Sequence, residues 1–334
     1  MVVWYFEFQM NIAFVFPILS LTQAQKLKTQ FAVDDTEWRR WFNVDNGIYV
    51  RQGISLLEMN PGQKAAARNL MAATLSARGL DLADAIRKTD QTLRELNEND
   101  LDYGEELYFF TVMGLPSTTE PWGWQIDGHH LVINTFVLGD QIVMTPTFLG
   151  GEPITTTSGK YAGNVILQDE QNEGLAFMQF LTPEQRHAAT LSKDKDRNDI
   201  QAEATKDNAV IEYAGVSVAT FSAAQKAGFL ELIQHYTGNL RDPHAAIWLE
   251  QISAHLDQTY FAWVGGTDPD AVFYYRIHSP VILIEFDHQY PVGTGMINPP
   301  GQVTRDHIHT IIRTPNGNDY GKDLLRQHLE SHPH

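Results

Sequence analysis

The chain has 334 residues, 43% of them hydrophobic and 11% aromatic, with a formal net charge of −17 and no cysteine. That length can bury a sizeable core, as two or three domains or as one pseudo-symmetric body of two similar halves. The acidic balance excludes partners that need a basic face, nucleic acid and anionic membranes among them, and the missing cysteines exclude disulfides, thiolate metal sites and a cysteine nucleophile.

Residues 1–21 are strongly apolar, and Ile12 to Leu21 has the look of a signal-peptide core ending near Ala24. No Lys or Arg precedes Lys26, however, and Glu7 stands where a positive region belongs. Pro17 and the polar residues at 7, 9 and 11 argue against a membrane span. The expectation is an apolar extension over residues 1–15, a domain over 16–334, and a cytoplasmic rather than a secreted or periplasmic protein.

Four segments share the pattern apolar–(Ser/Thr/Asn)–x–x–Gln: LTQAQ from Leu21, MNPGQ from Met59, LTPEQ from Leu181 and FSAAQ from Phe221. Each is a capping box that opens a helix, and Pro61 and Pro183 sit at first helical positions. The first half reads as a helix after Thr22, a second from Pro61 to about Arg78 stopped by Gly79, and a third over Leu82–Leu96. Strands follow near Leu107–Met113, Trp124–Ile126, His130–Leu138 and Gln141–Thr147, the last two joined at Leu138-Gly139-Asp140. Gly150 to Gly163 reads as a loop, and the charge run Lys193–Asp199 as a solvated one. The second half gives helices after Thr182, Ser222 and Asp242, then strands near Tyr260–Val264, Val272–His278, Val281–Asp287 and His307–Arg313. Helices in a run followed by strands in a run favour α+β with antiparallel sheets.

The halves also repeat each other. YFFTVMG from Tyr108 returns as YFAWVGG from Tyr260, 152 residues on, and WQIDGHHLVIN from Trp124 returns as YRIHSPVILIE from Tyr275, 151 residues on. IVMTP at Ile142 returns as IIRTP at Ile311 after 169 residues, and the caps at 22 and 60 return after 160 and 162. The pattern predicts an internal duplication: pseudo-repeats over about 16–150 and 175–325, each three helices and an antiparallel strand set, related by a pseudo-twofold axis. Tyr108 should then overlay Tyr260, and Asn134 should overlay Glu285.

The spacing jumps in a Gly/Pro-rich stretch, Gln289 to Asp306, that leads into His307 and His309; a long loop of this kind usually has a functional reason. Two residues apart on a strand, His307, His309 and Arg313 share one face, with Ile308, Thr310 and Ile312 on the other. Paired imidazoles are half of a Zn, Fe or Cu site. The predicted ligands are His307, His309, His288 at the end of the preceding strand, and His130; His278 and His129 are further candidates. Glu285 and Asp287 could supply acid–base chemistry or a further ligand, or could simply face solvent opposite Ile284 and Phe286. Arg313 is a clamp for a substrate carboxylate or phosphate unless Asp319 and Asp323 fix it. Adjacent on a strand after the Asp127-Gly128 turn, His129 and His130 should point to opposite faces. No G-x-S-x-G elbow, P-loop, complete G-x-G-x-x-G or H-E-x-x-H is present.

PWGWQ at Pro121, GHHL at Gly128, TPTFLG at Thr145, the RIHSP–ILIEFDHQ stretch from Arg276 and HIHTIIRTPNGNDYGKDLLRQH from His307 resemble the signature blocks of the DUF 3500 family, a domain of unknown function. The resemblance runs from about Phe16 onward and departs at the apolar N-terminus. It implies one full-length domain and carries no activity. The residues themselves predict a metal-dependent enzyme, a hydrolase or an oxygenase, acting on a small polar or anionic molecule, with Gln289–Asp306 as a lid. The alternative is a metal-free protein that holds an acidic ligand in a cleft between the halves.

Overall fold

All four predicted capping boxes form: Thr22, Asn60, Thr182 and Ser222 each accept the amide of the Gln three residues on, whose side chain accepts the amide of the cap. Such caps are worth about 1 kcal/mol each. The computed structural model describes residues 20–206 and 210–332, so the predicted extension over 1–15 lies outside the described residues.

The first half of the chain supplies α1 (Gln23–Thr29), β1 (Gln30–Phe31), β2 (Ile54–Ser55), α2 (Pro61–Thr74), α3 (Ala77–Leu96), β3 (Phe109–Met113), β4 (Trp122–Gly128), β5 (Leu131–Leu138), β6 (Gln141–Val143) and β7 (Thr147–Gly151). The second supplies α4 (Gln168–Phe180), α5 (Pro183–Ala189), β8 (Thr190–Ser192), β9 (Val216–Ser217), α6 (Ala223–Thr237), α7 (Asp242–Ala254), β10 (Tyr260–Gly265), β11 (Phe273–His278), β12 (Leu283–His288), β13 (Ile308–Arg313) and α8 (Lys322–Ser331). The predicted helix from Pro61 to Arg78 is broken at Leu75, and Ser76 caps α3 by accepting the amide of Gly79. Gly79 is therefore not a stop. A Cβ there would lie 2.2 Å from the carbonyl oxygen of Asn239, so glycine lets α3 run against the segment between α6 and α7. α4 gives no signal in the sequence: Leu167 before it is left-handed and caps nothing.

The strands form one mixed sheet in the order β1-β3-β4-β5-β7-β13-β12-β11-β10-β8, with β2 beside β3, β6 beside β5 and β9 beside β10. Among the described residues only the β1–β3 and β8–β10 pairs are parallel. The class is α+β. At the centre β7 pairs antiparallel with β13, Thr147 opposite Ile312. One face packs against the helices through Phe110, Trp124, Tyr275 and Phe286, which meet Leu70, Ala83 and Phe229; burying a side chain of this size contributes about 1.5–3 kcal/mol. The other face carries a smaller core of Trp38, Trp41, Phe136, Phe148, Ile311 and Tyr320.

Two sequence expectations are corrected by the register. Ile311 stands opposite Glu285, whereas Ile142 stands opposite Val137 rather than Asn134, so IVMTP and IIRTP do not occupy matching positions. Phe109 lies opposite Asp127 and Tyr260 opposite His278, so counted from the Asp127 and His278 pairings it is Phe109 rather than Tyr108 that stands where Tyr260 does in its ladder. The charge run 193–199 is not a solvated loop throughout: the Lys195 side chain is 1% exposed and pairs with Asp199 at 3.2 Å and Asp287 at 3.1 Å. Among the described residues no helix is long and apolar enough to cross a membrane.

Candidate metal centre

The β4–β5 ladder ends at the Gly128–Leu131 pair, leaving His129 and His130 as a two-residue tip. Because they form a turn and not a strand, the alternation of faces does not apply. His130 takes a left-handed backbone (φ 61°), a conformation that excludes β-branched residues far more than histidine. Both rings therefore leave on the same side and stack, centroids 3.9 Å apart at 26°.

His307 directly precedes β13 and His309 lies within it, two strands away from the hairpin, with β7 between. The rings meet because β7 has Gly150 at this point, opposite His309 in the register. A Cβ on Gly150 would sit 2.6 Å from the Ile308 carbonyl oxygen and 3.3 Å from Cδ2 of both His130 and His309. Glycine clears the space in which the imidazoles converge.

The Nε2 atoms of His130 and His307 are 3.1 Å apart, and those of His307 and His309 are 3.0 Å apart. The ligand atoms of all three lie within 4.8 Å of one another, and all three residues are buried. For comparison, Zn–N bonds of about 2.0–2.1 Å in a tetrahedron put the nitrogens roughly 3.3 Å apart. The outward nitrogens fix the tautomers. Nδ1 of His307 meets the Tyr290 carbonyl oxygen at 2.6 Å, and Nδ1 of His309 meets Glu203 Oε1 at 2.9 Å. A carbonyl accepts only, so Nδ1 of His307 carries its proton; the carboxylate demands the same of His309. Their Nε2 lone pairs then face each other at contact distance, an arrangement that a cation between them relieves.

Electrostatics keep His130 and His307 neutral. Burial, then the charges of His129, His307 and His309, hold His130 well below the usual imidazole range. Burial pulls His307 down to about 4 against the opposing pull of Glu152, with His309 adding to the depression. Neutral imidazole is the metal-binding species.

Residues 10–322 match the family described as protein of unknown function (DUF3500). The chain belongs to the DUF3500 family. No curated protein and no solved structure matches it.

Two carboxylates of this DUF3500 protein support the cluster from behind. Glu203 receives Asn43 Nδ2 at 3.3 Å as well as His309. Burial works to raise its pKa and is outweighed by His309 and Asn43, so the group is held below the ordinary range. Glu152, just after β7, lies 3.5 Å from His307 Nδ1 and accepts the amides of Val292, Gly293 and Thr294 at 2.9–3.0 Å, plus the Thr294 hydroxyl. There too burial is outweighed, first by His307 and then by Thr294 and the backbone amides. The stretch Gln289–Asp306 is thus fastened to the centre through Glu152. His129 donates from Nδ1 to the Asp90 carboxylate at 2.7 Å and does not point a nitrogen into the triad.

The remaining predicted residues are not brought to this point. His288 emerges from the opposite face of β12 into the helix-side core, where Nδ1 accepts the Phe273 amide at 2.9 Å and Nε2 meets Gln171 Oε1 at 2.8 Å. His278 lies on β11 under Tyr213, 4.3 Å between ring centroids. Glu285 and Asp287 do share a strand face, but it is buried beneath residues 195–203 and not solvated. Glu285 accepts the amides of Gln201 and Ala202 and the Tyr274 hydroxyl, and burial raises it. Asp287 stands opposite His309 in the register yet is held by the Asp199 amide at 2.8 Å, Gln289 and Lys195; burial pushes it up to about 8. Arg313 is committed as well: Nη1 to Asp319 at 2.9 Å, Nε to the Ala202 carbonyl at 2.6 Å and Nη2 to the Glu203 carbonyl at 2.9 Å. Asp323 turns instead to Arg326. Arg313 is no substrate clamp; it pins the backbone that presents Glu203. Glu152, Glu203, Tyr290 and Gly150 were invisible beforehand, since a lone loop carboxylate, a carbonyl or a glycine has no spacing signature.

Proposed function

We propose that this protein is a metal-dependent enzyme acting on a small polar molecule, with His130, His307 and His309 as the ligands. One observation carries the reading: three buried Nε2 atoms from two distant parts of the chain converge, two of them with their protons fixed on the far side. Three neutral imidazoles leave a divalent ion its full charge and an open position, the requirement for activating water or polarising a carbonyl. The set contains no carboxylate, so it departs from the two-histidine, one-carboxylate pattern of non-haem iron and suits zinc or copper better. With Arg313 engaged, the anionic option for the substrate loses its support, and hydrolysis is favoured over oxygenation. Metal analysis of untagged protein after supplementation should find near-stoichiometric zinc or copper, and His307→Ala or His309→Ala should abolish it with the fold intact. Trace metal in the supplemented wild type would sink the proposal.

A cavity of about 300 Å³ supports a second, metal-free reading. It is lined from both halves by Gln141, Met144, Trp248, Val281, Asn316 and Asn318, a mixture of apolar floor and amide rim that fits a small ligand. Ligand binding with trace metal would favour it.

We infer also that the two halves are copies, and that the histidine cluster straddles their seam. Like pairings in the two halves support this: Gln125 faces Asn134 as Arg276 faces Glu285, 151 residues on, and Ile54 faces Phe110 as Val216 faces Phe261, 162 and 151 residues on. In a crystal structure, superposing Asn134 on Glu285 along the strands should bring Trp124 onto Tyr275. Unrelated positions would refute the duplication.

A further inference from the structure

β11 carries a second pair of nitrogen-bearing side chains two residues apart. Arg276 and His278 leave the strand on one face, exposed by 2% and 5%. A guanidinium has five N–H donors and no acceptor. In Arg276, Nη2 donates to the Glu212 carbonyl at 3.1 Å, while Nε and Nη1 are enclosed without a hydrogen-bond partner, as is Nδ1 of His278. Glu285 stands opposite Arg276, but its oxygens receive Tyr274, Gln201 and Ala202, and no ion-pair contact with the guanidinium forms among the described residues. The cross-strand pair Gln125–Asn134 shows the contrast: it closes on itself at 2.6 Å. Buried donors left open call for an ion or water, and a buried unpaired charge is strongly unfavourable. Burial, with Arg276 adding, pushes His278 down to about 4, so the pair presents one positive charge and one neutral ring. Tyr213, 46% exposed, lies over His278 with centroids 4.3 Å apart, and the backbone just before it receives Arg276.

We propose that Arg276 and His278 form a site for a small oxyanion of the phosphate or carboxylate class, entered beneath Tyr213. The site is separate from the histidine cluster and does not depend on the metal reading. Calorimetric titration of the full chain with inorganic phosphate, and in parallel with acetate, tests it. Saturable binding of at least one anion is expected, weakened about tenfold or more, a loss of roughly 1.4 kcal/mol, in both Arg276→Gln and His278→Phe, and unchanged in His307→Ala. Should Arg276→Gln not fold, His278→Phe alone decides, with its melting temperature as the fold check. No saturable binding of either anion overturns the proposal. So does binding that survives His278→Phe but vanishes in His307→Ala, which would place the anion at the histidine cluster.

Discussion

A histidine becomes a ligand when its far nitrogen is spoken for, and at His309 that task falls to Glu203. The Glu203 side chain is 34% exposed and its carboxylate meets only His309 and, at 3.3 Å, Asn43 among the described residues, so its replacement should act on the ring more than on the fold. Groups that orient a ligating imidazole through its far nitrogen are worth about 10–100-fold in metal affinity. Glu203→Gln keeps an acceptor and should lose less than Glu203→Ala, which leaves the ring free to turn. Chelator competition measures both, and equal affinity in wild type and Glu203→Ala would remove Glu203 from the centre. Arg313 takes the structural alternative that the sequence left open, through Asp319 and not Asp323. Position on the face of His307 and His309 was right, but Asp319 and two carbonyls claim the guanidinium, and no spacing rule sees a carbonyl.

Among elements, the Gln289–Asp306 stretch depends most on one side chain. Glu152 takes three successive amides and a hydroxyl from it, while Val292 and Met296 remain exposed at its tip. Glu152→Ala strands those amides, so limited proteolysis should cut between 291 and 302 faster than in wild type. An unchanged pattern would mean that other contacts, such as Asn97 to the Gly293 carbonyl, hold the stretch by themselves. The four capping-box helix starts were legible because such a cap is settled within four residues, whereas the starts of α3 and α4 were not. His307 and His309 sharing a face was legible because strand parity is local as well. What joins them to His130 was not: that contact depends on β7 lying between two strands far apart in the chain, and on Gly150 within it. His288 was legible by that same parity and was misjudged: it leaves β12 on the face opposite Glu285 and Asp287, into the helix-side core.

Stability of the whole molecule should carry a pH signature from Glu37, buried beside Trp38. Burial, eased by Arg40 and reinforced by Asp35 and Asp127, raises its carboxyl from 4.5 to about 7. A native pKa above the unfolded one means that the native state holds the proton more tightly. The contribution is complete below about 4.5 and is lost as pH rises through 7. Glu37→Gln has no proton to lose, so the urea midpoint of wild type should fall relative to the variant between pH 5 and pH 8. Parallel midpoints across that range would show Glu37 to be ionised in the native state.

The central pairing of β7 with β13 also dictates an order of events. β13, the last strand of the sheet to be synthesised, is the one that joins β7 to β12. Everything before it can form two separate partial sheets, but Ile308–Arg313 must insert between them before His307 and His309 reach His130. Loop closure over so long a separation is slow and comes late in folding. An ion held by all three histidines would therefore report that β13 is in place: until it inserts, His130 sits on one partial sheet and His307 and His309 are not brought to it.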